Sequence, residues 1–236
     1  MNKIVINNLS TWSYARSEAI NMLCTNLSFA GANVNKILLT SSHSQEGKST
    51  IAMDMLRKMA ELGYSAVLVD ADLRMSSIAT VYDLQFPESK GYGLAHYLAG
   101  KVEMDDVIYE TNVTGAYLVP VGRTVSNPLQ LLNSERFHQL LESLAQRYNA
   151  DYVLVDSPPL GLVIDAAEIA KACDGSMIVV EYNAVHRREL QDVKDQLEQT
   201  QCPILGTVLN QVDYGNMYRK NYRKYNYYNK YNHYYR

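Results

Sequence analysis

Six short apolar, β-prone runs recur along the chain, at residues 37–40, 66–69, 117–121, 152–155, 177–180 and 204–209. Each is continuous rather than alternating. A strand with one wet face alternates apolar and polar residues, so an unbroken run needs cover on both faces. Stretches with helical spacing separate the runs, at 13–29, 49–62, 93–99, 128–148, 165–172 and 186–200. In the first of these, Ile20, Leu23 and Leu27 share a face. In the longest, Asn127 is placed to cap and Pro128 to take the first helical position, where a missing N–H costs nothing. Leu131, Leu132, Leu140, Leu141 and Leu144 then form its apolar face. This alternation predicts an α/β protein: a doubly wound, mostly parallel sheet flanked by helices, with ligands at the carboxyl ends of the strands.

The first run is followed by Ser41-Ser42-His43-Ser44-Gln45-Glu46-Gly47-Lys48-Ser49-Thr50 and then a helical stretch. A phosphate-binding loop asks for Gly, four residues, then Gly-Lys-Ser/Thr between a strand and a helix. Gly47 lets the backbone curl, so that successive amides and the helix N-terminus face an anion. Lys48 supplies a point charge to the outer phosphates, and the Ser49 hydroxyl is a Mg²⁺ ligand in such loops. Ser42 replaces the usual first glycine, and Gln45 stands where a second glycine is common. Ser44, Gln45, Glu46, Gly47, Lys48, Ser49 and Thr50 are therefore the predicted nucleotide-binding loop.

Two further runs end in carboxylates. Val67-Leu68-Val69 leads into Asp70-Ala71-Asp72-Leu73-Arg74, and Val153-Leu154-Val155 into Asp156-Ser157-Pro158-Pro159. A lone loop aspartate is ordinarily just solvated. Three at strand ends beside a phosphate loop match the oxygen ligands that a hard divalent cation demands, directly or through water.

The other end of the chain has a different composition. Nine of the 19 tyrosines fall in the last 23 residues: Tyr214, Tyr218, Tyr222, Tyr225, Tyr227, Tyr228, Tyr231, Tyr234 and Tyr235. That segment lacks Leu, Ile, Val and Phe, so it cannot bury enough to offset the entropy of ordering, and it is expected to be a disordered, flexible tail at 214–236. It carries six basic residues and no acid, leaving 16 basic against all 25 acidic residues in the body at 1–213, a net −9. Opposite charges of this size attract at contact range, and salt weakens the attraction. Each phosphate added to a tyrosine brings about −1.5 to −2, so three or four would cancel the tail's charge.

Together these motifs resemble the bacterial tyrosine kinases, the cytoplasmic autokinases of capsular and extracellular polysaccharide synthesis and export. In that family the loop reads roughly Pro-Gly-Glu-Gly-Lys-Ser/Thr, matched here by Ser44 to Ser49. Asp70, Asp72 and Arg74 match Asp-x-Asp-x-Arg, and Asp156 to Pro159 match the Asp-Thr/Ser-Pro-Pro that follows a strand. Ser126-Asn127-Pro128, Gly206-Thr207-Val208-Leu209-Asn210 and the terminal tyrosine cluster add to the likeness.

The resemblance implies an ATP- and Mg²⁺-dependent tyrosine autokinase. Lys48, Asp70 and Asp72 would be catalytic, with Asp70 placed to take the tyrosine proton. Ser49, Asp72 and Asp156 would hold the metal, Asn210 would lie near the adenine, and the nine tail tyrosines would be the phosphoacceptors. It further implies a membrane activator (a polysaccharide co-polymerase) that recruits the kinase to the inner face of the membrane, a cognate tyrosine phosphatase, and a homo-oligomer. The family's assembly motif Glu-x-x-Arg-x-x-Arg is departed from: Glu18, Asn21 and Cys24 stand in its places.

Other features bound the reading. Residues 1–9 do not read as a signal peptide, and no run approaches the length of a membrane span. Cys24, Cys173 and Cys202 are odd in number and dispersed, which suits a reducing cytosol. A nucleotide-switch ATPase of the partition and division-site type shares this loop architecture but usually has a lysine where His43 stands. The altered loop also permits a pseudo-kinase, and the Tyr/Arg tail a nucleic-acid stacking strip. The acidic body speaks against the last, and no nucleic-acid partner is expected.

Overall fold

The computed structural model describes residues 2–31, 33–86 and 90–212; the tyrosine cluster of the tail lies outside the described residues. In chain order the elements are β1 (Asn2–Lys3), β2 (Val5–Ile6), α1 (Tyr14–Ser28), β3 (Lys36–Ser41), α2 (Lys48–Glu61), β4 (Ala66–Asp70), α3 (Ile78–Val81), β5 (Leu84–Gln85), α4 (Leu94–Leu98), β6 (Tyr109–Glu110), β7 (Ala116–Val119), α5 (Leu129–Leu132), α6 (Glu135–Gln146), β8 (Tyr152–Asp156), α7 (Asp165–Ala170), β9 (Gly175–Glu181), α8 (Arg187–Glu198) and β10 (Ile204–Asn210).

The main sheet runs β1-β6-β7-β4-β8-β3-β9-β10, and β2 pairs with β5 apart from it. All pairings in the main sheet are parallel except β6 with β7. Successive strand residues bury on opposite faces. Val67, Val69, Val153 and Val155 pack with Phe137, Leu140, Leu144, Ile169 and Leu197 from α6, α7 and α8. Leu68, Leu154, Ile37 and Leu39 pack with Ile20 and Leu27 of α1 and with Met53, Leu56 and Met59 of α2. The continuous apolar runs thus mark strands with two dry faces, as in a doubly wound sheet.

The single long helix expected over 128–148 is two helices. Pro128 occupies the N-cap position of α5, and the chain breaks at Asn133–Ser134 before α6 starts. Ser134 adopts extended backbone and its hydroxyl donates to the carbonyl of Leu131 at 2.6 Å, so a polar side chain takes up a carbonyl at the end of α5 and breaks the run. Strand β7 stops at Val119 rather than at 121, because Pro120 has no N–H to give a ladder. The Pro120 carbonyl instead accepts from Leu94 at the start of α4.

The N-terminal strap is fastened to α2. Buried Asp54, on that helix, accepts from Trp12 Nε1 at 2.9 Å and from Arg16 Nε at 2.7 Å. The Arg57 guanidinium lies 4.2 Å from the Trp12 ring centroid and adds a cation–π contact. Cys24 of α1 faces inward. It is buried in the α1–α2 core, and burial pushes its thiol up to about 12, which leaves it inert.

Candidate active site

Strands β3, β4 and β8 are neighbours and parallel, so their carboxyl ends open at one edge of the sheet. There the register sets Asp70 opposite Asp156. Between β3 and α2 the chain turns through residues 42–47. Gln45 has φ +67° and Gly47 φ +85°, both left-handed. Gly47 is the N-cap of α2 and offers no capping side chain, so the first amides of the helix lack a side-chain acceptor. Unsatisfied amides at a helix N-terminus bind anions.

The loop is held from three sides. The buried Glu46 carboxylate accepts from its own loop, His43 N at 2.7 Å, and from Glu181 N on β9 at 3.2 Å. Asn210, at the end of β10, donates its side-chain amide to the Glu46 carbonyl at 2.9 Å, and Gln211 donates to the Gln45 carbonyl at 2.9 Å. Gly161, following the Asp-Ser-Pro-Pro stretch, packs so closely that a Cβ there would meet the Ser42 carbonyl at 2.2 Å. Glu46 therefore has a bracing side chain, Ser44 is exposed, and the Thr50 hydroxyl lies towards Tyr82.

The Lys48 Nζ sits between two acids, 3.7 Å from Asp72 Oδ2 and 3.8 Å from Asp156 Oδ1. The Ser49 hydroxyl lies close enough to favour the charged form of the Asp156 carboxyl. Asp72 also accepts from the amide of Met75 at 3.0 Å, which fixes its side chain. Asp70 takes a hydrogen bond from the Ser76 hydroxyl on Oδ2. The remaining oxygen, Asp70 Oδ1, and Asp156 Oδ1 are buried without a hydrogen-bond partner. Burial, reinforced by the neighbouring Asp156 charge, drives the Asp70 carboxyl well above its usual range. Burial lifts Asp156 to about 6 even with Lys48 and Ser49 pulling it down.

The orphaned, desolvated Asp156 oxygen, with the Asp72 carboxylate and the Ser49 hydroxyl nearby, fits a divalent cation and its water. Among the described residues no three His, Cys, Asp or Glu converge as a metal site of their own. The donor set therefore suits Mg²⁺ carried in with a triphosphate, which brings further oxygens.

Five of the predicted residues, Lys48, Ser49, Asp70, Asp72 and Asp156, come together directly. Asn210 lies beside the phosphate loop, with its amide engaged on the Glu46 carbonyl. Arg74 makes a two-point ion pair with buried Asp165, at 2.5 and 3.0 Å, and braces the loop after β4 against the start of α7. Sequence reasoning missed Ser76, Gly161, Asp165 and Gln211. Each acts across a fold contact, and nothing in the local motif announces it.

The AAA domain family matches residues 34–204. The tyrosine-protein kinase CpsD of Streptococcus agalactiae is 38% identical over 216 residues, covering 88% of this chain and 91% of that protein. The bacterial tyrosine kinases are the family to which this chain belongs. A second relative, the tyrosine-protein kinase etk of Escherichia coli K12, is 31% identical over 83% of this chain but only 26% of its own length. Among solved structures, the chimerical protein CapA2B2 superposes with TM-score 0.78 at 27% identity, covering 88% of this chain and 92% of that one. The kinase domain of Escherichia coli ETK gives 0.75 at 28%, covering 84% and 78%. The septum site-determining protein MinD of Pyrococcus horikoshii, at 22% identity and TM-score 0.61 over 75% of this chain and 70% of that one, shares the fold. The fold is thus that of the P-loop-type bacterial tyrosine kinase domains. Among the described residues no helix is long and apolar enough to cross a membrane.

Proposed function

We propose that this chain transfers the terminal phosphoryl group of ATP to tyrosine hydroxyls, foremost those of its own residues 214–236, and thereby regulates capsular or extracellular polysaccharide synthesis and export. The observation that carries the reading is the Lys48–Asp72–Asp156 cluster at the mouth of the phosphate loop, with ionisable, half-unpartnered Asp70 beside it.

Phosphoryl transfer needs little covalent help, so the protein's work is positioning and charge neutralisation. The loop amides and the N-terminus of α2 take the phosphates, and Lys48 turns from its two carboxylates to the developing charge. Ser49 would hold Mg²⁺ directly, with Asp156 and Asp72 orienting its water; bound there, Mg²⁺ neutralises phosphate charge. A tyrosine hydroxyl has a pKa near 10, and its proton is released late in transfer. Asp70, whose carboxylate is made more basic by burial, accepts that proton at Oδ1, while Ser76 holds Oδ2.

Labelled ATP with Mg²⁺ tests the reading. Label retained on tyrosine marks a kinase. Release of free phosphate alone overturns the kinase and leaves a switch ATPase. The cytoplasmic setting, the membrane activator that recruits the kinase, the cognate phosphatase and a homo-oligomer belong to this same proposal.

Tether length restricts the nearest acceptor. Tyr214 is three residues past Gln211, a span of at most about 10 Å. Asp70 lies four strand spacings from β10, roughly 19 Å. Tyr214 therefore reaches the site of its own chain only with backbone and side chain both fully extended, so a second copy is its favoured kinase, whereas Tyr235 has contour length to spare. In a dilution series the Tyr214 rate per molecule should fall in proportion to protein concentration; a rate independent of concentration excludes this geometry.

A further inference from the structure

The phosphate loop contains a residue in a conformation that side chains resist. Gln45 has φ +67°, where a loop of this kind often uses glycine. Its own carbonyl accepts a hydrogen bond from the Gln211 side chain at 2.9 Å. Gln211 is itself left-handed, at φ +56°. One residue earlier, Asn210 donates to the next carbonyl of the loop, that of Glu46, at 2.9 Å. The contact is close enough to dictate sequence: a Cβ on Gly47 would lie 2.2 Å from Asn210 Nδ2. Two consecutive side chains leaving the last strand therefore grip two consecutive carbonyls of the loop, from 164 and 166 residues away.

These are not contacts that a mere surface loop requires. Carbonyls on an exposed turn are satisfied by water at no cost in side-chain ordering, and Gln45 is itself exposed. What the grip accomplishes is conformational. Fixing the carbonyl of residue 45 and that of residue 46 fixes the peptide planes that flank them. The amides belonging to those planes are the ones the loop turns toward an anion. A glycine would populate this geometry unaided; a glutamine populates it only when something holds it.

We propose that Gln211, seconded by Asn210, is a positioning residue for nucleotide binding, and that it compensates for the absence of glycine at position 45. The inference rests on the phosphate-loop reading of residues 42–50. It also ties the root of the acceptor tail to the phosphate site, since only Val212 and Asp213 separate the grip from Tyr214.

The test is a double-mutant cycle on the full chain, reading ATP affinity in the presence of Mg²⁺ by calorimetry and tyrosine transfer by kinetics. Gln211→Ala is expected to weaken ATP binding about tenfold and raise KM correspondingly, with kcat at saturating ATP changed less than twofold. Gln45→Gly alone supplies the second background, and its own ATP affinity is the reference there. In the Gln45→Gly background, Gln211→Ala costs less than about threefold, because glycine no longer needs holding. That rescue is the result a merely structural contact does not give. An equal tenfold loss in both backgrounds overturns the proposal and points to Gln211 touching the nucleotide itself; no loss in the natural loop overturns it outright. If Gln211→Ala unfolds while the double variant folds and binds, the compensation is borne out by stability instead. A Lys48→Met control separates the two levels: undiminished ATP binding there sinks the loop reading, whatever Gln211 does.

Discussion

Replacing Lys48 with Met should lower tyrosine phosphorylation by at least 10²- to 10³-fold while leaving the fold intact. The lysine lies between two buried or nearly buried acids, with its side chain 12% exposed and Nζ within 4 Å of both. A preorganised charge in a water-poor site is worth several kcal/mol to a transition state, and losing one such donor typically costs this much rate. The loss should fall on both KM and kcat, since Lys48 serves bound ATP and transferring phosphoryl alike. Asp70→Asn makes the companion case. It keeps the shape, the Ser76 neighbour and ATP binding, but cannot take a proton. Its effect belongs in kcat, at about 10²- to 10⁴-fold. Phosphotyrosine immunoblots with measured nucleotide affinity distinguish the pair. Wild-type labelling in either purified variant would falsify the assigned roles.

The second large effect concerns stability. Asp156 is 1% exposed, and its carboxyl is raised from 3.8 to about 6. A raised acid binds its proton more tightly when folded, so the folded state is favoured at low pH. That advantage is lost as pH climbs from about 4 through 6. Above pH 6 the ionised, desolvated carboxylate costs about 3 kcal/mol. Asp70, also driven upward, adds to the cost. Without nucleotide, Asp156→Asn should therefore raise the melting temperature at pH 7.5 by about 6–12 °C. The gain should shrink towards pH 5, where the natural carboxyl is itself protonated. The same variant should lose the stabilisation that Mg²⁺ and ATP confer together. Differential scanning fluorimetry across pH decides the matter; a variant that melts at or below the parent at pH 7.5 rules out the stored cost. Stability surrendered at a site that binds charge is a common exchange in enzymes.

The carboxylates that pay this cost were the most legible part of the site. Asp70 and Asp156 each end an unbroken apolar run, and the runs proved to be β4 and β8, side by side. Lys48 and Ser49 were legible for the same reason, a strand end followed at once by a helix start. The four two-residue strands left no trace, being too short for any period to show. The helix expected across 128–148 was misread because its apolar spacing runs through the Asn133–Ser134 break: Leu132 and Phe137 face the same core from two separate helices.

What the residues determine by themselves is the order of strand and helix, the two-faced burial of the sheet, and the identity of the reactive groups, because periodicity and side-chain chemistry are local. The partners of those groups are a tertiary matter. Ser76 on Asp70, Asp165 on Arg74 and Gln211 on the Gln45 carbonyl lie 6, 91 and 166 residues apart along the chain. Only the closing of the sheet, with β10 packed beside β9 and β9 beside β3, brings the last of them to the loop. A hydrogen bond fades within an ångström or so, and no sequence spacing encodes which distant donor will fall inside that range.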